Sequence, residues 1–326
     1  MVKNLLISIC LILISSCSTL AFWSDDDVDN LKPVELKSIQ KDFSISVEWK
    51  KSLKGESNLS SFKPSYYSGN MLVADPEGNI VSLNPKTGNE NWKIGLDRQL
   101  SAGIASGFGK LIVSDVNGFV IAINSDTQEI IWEKNVGGEV LSRAKVTASL
   151  IIVKNSVGEL IALNSNSGEQ KWIYRSQLPA LTIRGTGEPI LEDGIVYASF
   201  DNGRLGAFQL ETGLFLWDQP ISFVEGSSEL ENLIDADSAP VITKQLLFAT
   251  NYQGNLTAFD ISQKRPVWNS KSSSFHSPVV TNNMIMVIQD NGSILSFSLV
   301  NLDPAWTSQE YLRRQLSSGV MYKNLM

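Results

Sequence analysis

The stretch Gly158–Trp172, GELIALNSNSGEQKW, decides how the chain is read. A glycine opens it, Leu160 follows at two, Ala162 at four and Leu163 at five, and a turn ending in Gly168 leads to the tryptophan. The frame recurs from Gly78 to Trp92, Gly118 to Trp132, Gly203 to Trp217, Gly254 to Trp268 and Gly292 to Trp306, always 14 residues apart. Glycine-to-glycine periods are 40, 40, 45, 51 and 38 residues. Periods of this size with strand-like patterning suit a unit of four short strands, a propeller blade.

The positions within the frame agree with that reading. Two after the glycine stand Ile80, Val120, Leu160, Leu205, Leu256 and Ile294; four after it stand Ser82, Ala122, Ala162, Ala207, Ala258 and Ser296. Even offsets share one strand face, and a small side chain there lets the next sheet approach. At five come Leu83, Ile123, Leu163, Phe208, Phe259 and Phe297, facing the other side. A sheet apolar on both faces is sandwiched between neighbours. Each of Trp92, Trp132, Trp172, Trp217, Trp268 and Trp306 is then a wedge between blades, since a periodic tryptophan belongs to a core. In the turns, Gly88, Gly168 and Gly213 occupy a slot that calls for a positive φ. Gln128, Lys264 and Leu302 stand there in the other three copies, which predicts turns of another type.

Residues 1–16 read as a signal peptide: Lys3, then LLISICLILIS, too short for a comfortable membrane span. ISSC at 14–17 resembles the bacterial lipobox, which implies an acylated Cys17 as the mature N-terminus. Ser18, where aspartate would retain a lipoprotein at the inner membrane, implies the outer membrane. The two cysteines are Cys10 and Cys17, so the mature chain has one sulfur and no disulfide. A single histidine, His276, is too few for a His-based metal site and reads as a polar residue on a strand edge. Residues 17–43 form an acidic tether containing SDDDVDN at 24–30. Loss of residues 1–16 leaves 26 basic against 34 acidic residues, a net charge of −8. That balance argues against nucleic acid, which needs a basic footprint, and leaves membrane attachment to the acyl chains.

Residues 44–326 are the propeller. Trp49 reads as the last strand of a blade whose earlier strands, in a closed propeller, come from the C-terminal end of the chain. Six blades follow at about 59–95, 100–135, 141–175, 181–219, 238–270 and 275–308, and LSSGVMYKNLM at 316–326 reads as the start of a seventh. The chain is thus shorter than a closed ring requires. Two adjacent connectors are long. One contains LPALTIRG (178–185), with Leu181, Ile183 and Arg184; the other, EGSSELENLIDADSAP (225–240), holds Glu229, Glu231, Asp235 and Asp237. Equivalent places in consecutive blades make them spatial neighbours, and apolar residues beside an arginine and carboxylates suit a protein-binding patch. Asp235 and Asp237 could face each other as glycosidase carboxylates do. Yet no base–orienter chain, phosphate loop, nucleophile elbow or HExxH accompanies them.

The repeat resembles that of quinoprotein dehydrogenases, whose blades are of the PQQ and WD40-like kind. More specifically, the lipobox, the acidic tether, EVLSR (139–143), LTIRG, GSSELENLIDADSAPV (226–241) and YQGNLTAFD (252–260) resemble the BamB family, outer-membrane lipoproteins of the β-barrel assembly (Bam) machinery. The resemblance implies an eight-bladed all-β ring, here six full blades with a partial seventh and an N-terminal closing strand. It implies a non-catalytic scaffold with no cofactor, on the periplasmic face of the outer membrane. It matches Leu181, Ile183, Arg184, Asp235 and Asp237 to the surface that binds the periplasmic POTRA region of BamA. Ile183 stands where the family commonly has leucine. Other Bam members and unfolded outer-membrane proteins, the latter met by β-augmentation at strand edges, are further implied partners. The alternative is a quinoprotein enzyme using pyrroloquinoline quinone, though such enzymes are usually longer, with calcium ligands and often a vicinal cysteine pair.

Overall fold

The structure is a computed structural model that describes residues 32–38, 44, 46–56, 62–179, 187–222 and 238–321. The segment 1–16, Cys17 and the rest of the tether lie outside them. Among the described residues, twenty-four strands form six antiparallel four-stranded sheets, each following chain order. Blade 1 is β1 (Ser65–Tyr67), β2 (Asn70–Ala74), β3 (Asn79–Leu83) and β4 (Glu90–Gly95). Blade 2 is β5 (Leu100–Gly107), β6 (Lys110–Asp115), β7 (Phe119–Asn124) and β8 (Ile130–Asn135). Blade 3 is β9 (Lys145–Val146), β10 (Leu150–Lys154), β11 (Glu159–Asn164) and β12 (Gln170–Arg175). Blade 4 is β13 (Ile190–Glu192), β14 (Ile195–Ser199), β15 (Arg204–Gln209) and β16 (Phe215–Pro220). Blade 5 is β17 (Val241–Thr243), β18 (Leu246–Thr250), β19 (Asn255–Asp260) and β20 (Arg265–Lys271). Blade 6 is β21 (Val279–Val280), β22 (Met284–Ile288), β23 (Ile294–Ser298) and β24 (Pro304–Ser308). First strands of successive blades, β1 with β5 and β5 with β9, approach one another. They form the inner side, and the tryptophan-bearing fourth strands the outer side.

Each core lies between blades. Leu160, Ala162 and Trp172 of blade 3 pack on Val196, Ala198 and Phe208 of blade 4. Leu205, Ala207 and Trp217 then pack on Leu247, Ala249 and Phe259 of blade 5, and so around the arc. The residue at offset two therefore faces the next blade and the residue at five the previous one. The small residue at four has a sharper purpose than sheet spacing. In all six blades it lies directly across the ladder from the tryptophan: Ser82 from Trp92, Ala122 from Trp132, Ala162 from Trp172, Ala207 from Trp217, Ala258 from Trp268, Ser296 from Trp306. A larger residue would take the volume the indole needs. The register slips at the very next residue in every blade, a β-bulge that re-aims the following side chain to the other face.

The turns correct one expectation. All six are alike: Gly88, Gln128, Gly168, Gly213, Lys264 and Leu302 each donate their N–H to the carbonyl four residues back, with φ between +57° and +71°. What differs is the indole. The Nε1 of Trp49, Trp132 and Trp172 donates to the carbonyls of Pro85, Ser165 and Leu210 at 3.0, 3.0 and 2.8 Å. Each of these rings covers a turn glycine so closely that a Cβ there would fall 2.5–2.6 Å from a ring carbon. Where the slot holds Gln128, Lys264 or Leu302, the preceding tryptophan makes no such bond among the described residues. The glycine seats an indole; it does not select a turn type.

Two further expectations change at the ends. Trp49 lies in no strand, yet its ring takes the wedge position against Val73, Val81 and Leu83 of blade 1, and Lys54 N–H donates to Asp75 at 3.2 Å. The C-terminal residues meet Val34 instead: its N–H donates to Leu312 O at 3.2 Å, and Arg314 Nη2 donates to Val34 O at 2.9 Å. Residues 315–321 form no strand, and 322–326 lie outside the described residues, so strands of a seventh blade are not seen. With no further sheet beyond it among the described residues, Trp306 is 41% exposed, whereas Trp132, Trp172 and Trp217 are buried.

A methyl group at Gly213 meets both a left-handed backbone, φ +69°, and the Trp172 ring. Gly213→Ala should cost about 2–4 kcal/mol, backbone strain plus overpacking. Lys264→Gly removes the strain with no indole at stake and should stabilise by about 0.5 kcal/mol. The shift in urea midpoint measures both, and equal effects of the two changes would contradict the seating role.

Candidate partner-binding face

The up-and-down strands put the hairpins between second and third strands, and the connectors between blades, on one rim. The turns that seat the indoles lie on the other. Both long connectors belong to the first rim. Leu181, Ile183, Arg184, Asp235 and Asp237 all lie outside the described residues; their flanks do not.

The first connector leaves β12 through Ser176, whose N–H donates to Gly158 O at 2.9 Å and whose hydroxyl accepts from Asn202 Nδ2 at 3.0 Å. Leu178 covers Gly158, where a Cβ would fall 2.8 Å from it. The connector returns at Glu188, held by Arg143 and Lys145. The second leaves β16 through Ile221, whose N–H donates to Gly203 O at 2.9 Å. Ser222 exchanges hydrogen bonds with Asn251 at 2.6 and 3.0 Å. Gly254 is required here by space: a Cβ would fall 2.2–2.3 Å from Asn251 and Ser222 oxygens. The return is the buried Ser238, bonded to Thr250 O at 2.9 Å and Thr250 Oγ1 at 2.8 Å, with Ala239 N–H on Ser277 Oγ at 3.0 Å.

One hairpin of blade 4, residues 200–203, thus touches the departing ends of both connectors: Asn202 holds Ser176, and Gly203 holds Ile221. The departing ends of the two connectors therefore lie at one hairpin; the connectors themselves, expected to be neighbours, lie outside the described residues.

The ionic groups of this rim join blades 3 and 4. Burial alone would raise the Glu188 pKa, but the Arg143 hydrogen bond and the charges of Arg143 and Lys145 hold it below the ordinary 4.5. The buried Lys154 reaches from blade 3 to Ser199 O at 3.0 Å, with Asp201 at 3.9 Å. Tyr252 and Phe275 stack beside the second connector's flank, ring centres 4.6 Å apart and 14° from parallel. Sequence reasoning passed over Glu188 and Lys154; nothing in their spacing marks them, and only the stacking of blades brings them to their partners. No three His, Cys, Asp or Glu side chains among the described residues are grouped to hold a metal.

His276 is not on a strand edge. It lies in a bend between β20 and β21, with Nε2 3.0 Å from Leu316 O and Nδ1 3.1 Å from Ser318 Oγ. A neutral ring with its proton on Nε2 donates to the carbonyl and accepts from the serine.

The chain matches the family model described as outer membrane protein assembly factor BamB over residues 49–308. It belongs to the BamB family. The family relatives include BamB of Kangiella koreensis, 44% identical over 250 residues, which cover 76% of this chain and 64% of that protein. BamB of Pseudomonas aeruginosa is 42% identical over 254 residues, 77% of this chain and 67% of that one. The matched region therefore spans about two thirds of the length of these BamB relatives. Among solved structures, BamB from Moraxella catarrhalis superposes with a TM-score of 0.72 at 22% identity, covering 77% of this chain and 76% of that one. A europium-containing methanol dehydrogenase superposes at 0.66 with 13% identity, covering 84% and 73%. Both likenesses concern the fold alone.

Burial holds the His276 pKa below 6.5; the Leu316 carbonyl offsets this in part and Lys63 adds to it. With a depressed folded value, the unfolded chain takes up the proton first as pH falls. The contribution is present above about 6.5 and is lost as pH drops through the folded value. Between pH 7.5 and 5.5 the wild-type melting temperature should fall more steeply than that of His276→Gln. Parallel pH profiles would remove the ring from this account.

Proposed function

We propose that this chain is a non-catalytic scaffold of the Bam complex. It binds the periplasmic POTRA region of BamA through the two long connectors and assists folding and insertion of outer-membrane β-barrel proteins. The observation that carries the reading is the shared hairpin: Asn202 and Gly203 hold the ends of both connectors. The connector that contains Leu181, Ile183 and Arg184 and the one that contains Asp235 and Asp237 thus leave the body at the same hairpin. An arginine amid apolar residues, next to carboxylates, is the composition of an interface hot spot. Membership of a family of outer membrane protein assembly factors supports the same role. A lipid on Cys17 would hold the body at the periplasmic face of the outer membrane, with the acidic tether as spacer.

The quinoprotein alternative is supported by fold likeness alone, and the chain's two cysteines, Cys10 and Cys17, both precede the propeller. A contact with unfolded barrel precursors fits the outer edge of β8, where Ile130 and Ile131 are exposed by 46% and 41%. An unpaired edge carrying apolar side chains is a template for an added strand.

Arg184→Ala, and separately Asp235→Ala with Asp237→Ala, should each weaken BamA binding by about 2 kcal/mol or more, while unfolding shifts by about 0.5 kcal/mol or less. Binding to the isolated POTRA region is the readout, and full affinity in both variants would remove the assignment. A photo-crosslinker at position 131 should capture an unfolded outer-membrane protein. Capture only at sites away from strand edges would eliminate the augmentation role.

A further inference from the structure

One ionic cluster on the connector rim has no part in the reading above. Arg143 precedes β9, Lys145 lies in β9, and Glu188 precedes β13. The Glu188 carboxylate accepts from Arg143 Nε and Nη2 at 2.7 and 3.3 Å and from Lys145 Nζ at 3.1 Å. Arg143 Nη1 also reaches the Pro64 carbonyl at 3.4 Å, ahead of β1. One guanidinium thus ties the first-strand entries of blades 1, 3 and 4.

The cluster is not needed to hold blades 3 and 4 together. They already share an apolar interface through Trp172, Phe200 and Phe208, and ion pairs at the rim, about a quarter exposed on the cations and 16% on the carboxylate, add less to global stability than that packing does. What a two-pronged guanidinium–carboxylate pair supplies is direction. Three donors on one carboxylate leave Glu188 a single arrangement, and Glu188 stands where the first long connector rejoins its blade. The other end of that connector is fixed by neutral contacts, Ser176 to Asn202 and Leu178 to Gly158. The second connector is likewise anchored by serine, threonine and asparagine. Charge is used at the return of the first connector.

We propose that Glu188 is a positioning residue for partner binding: held by Arg143 and Lys145, it sets the point and direction from which the connector bearing Leu181, Ile183 and Arg184 is displayed. The inference rests on the reading that these residues contact BamA. A connector whose anchor is loosened spends less time in the binding-competent arrangement, and apparent affinity falls by that fraction.

The test uses the full chain in detergent and the soluble POTRA region of BamA, with affinity by biolayer interferometry and melting temperature in parallel. Glu188→Gln should bind about tenfold more weakly, as expected if the competent fraction drops to about a tenth, with little change in melting. Glu188→Asp, which keeps the charge, should recover most of the affinity. Arg98→Ala breaks a rim cluster of the same kind, one cation on Glu133 at 3.1 Å and on the buried Asp115 at 3.4 Å, between blades 1 and 2, and should leave affinity unchanged. Full affinity in Glu188→Gln alongside loss in Arg184→Ala overturns the positioning role and leaves the BamA reading standing. Full affinity in both overturns the reading itself. An equal loss in Arg98→Ala shows general loosening and overturns the positioning role.

Discussion

The structure depends on an indole set against a sheet that has been cut away to receive it. Each strand-borne tryptophan has a small residue across the ladder from it and a bulge after that residue. Under Trp49, Trp132 and Trp172 a bare glycine of the next turn lies against the ring, and a carbonyl of the same turn, Pro85, Ser165 or Leu210, accepts from the indole N–H. Because the apolar groups of each sheet serve two neighbours, no blade has a core of its own. Stability is a property of adjacent pairs, as in other repeat proteins.

Much of this was legible in the chain because the constraint is local and repeated. An invariant 14-residue distance fixes strand, bulge, turn and strand together, so Gly158–Trp172 sufficed to place five other blades. The turns were harder. Glycine is usually explained by backbone conformation, and replacement at 128, 264 and 302 suggested different turns. The backbone is the same in all six; the glycines answer to a ring from another blade, a contact that no window of one repeat contains. The same limit applies to Trp49, which occupies a wedge position without the strand that elsewhere carries it.

The functional rim was legible only in outline. Interrupted periodicity located the two long connectors, and their composition suggested protein contact. The residues that hold their ends were not apparent. Glu188, Arg143 and Asn202 are ordinary polar residues until the stacking of blades brings segments tens of residues apart to the same rim. A sequence reading recovers what repeats; anchors that occur once must be seen in place.

The hairpin at 200–203 has a mechanical consequence. Asn202 grips the departure of one connector and Gly203 that of the other, so a force applied to either is transmitted through four residues to its neighbour. The departing ends of the two connectors thus share one support, a β-hairpin whose own sequence resembles that of every other blade.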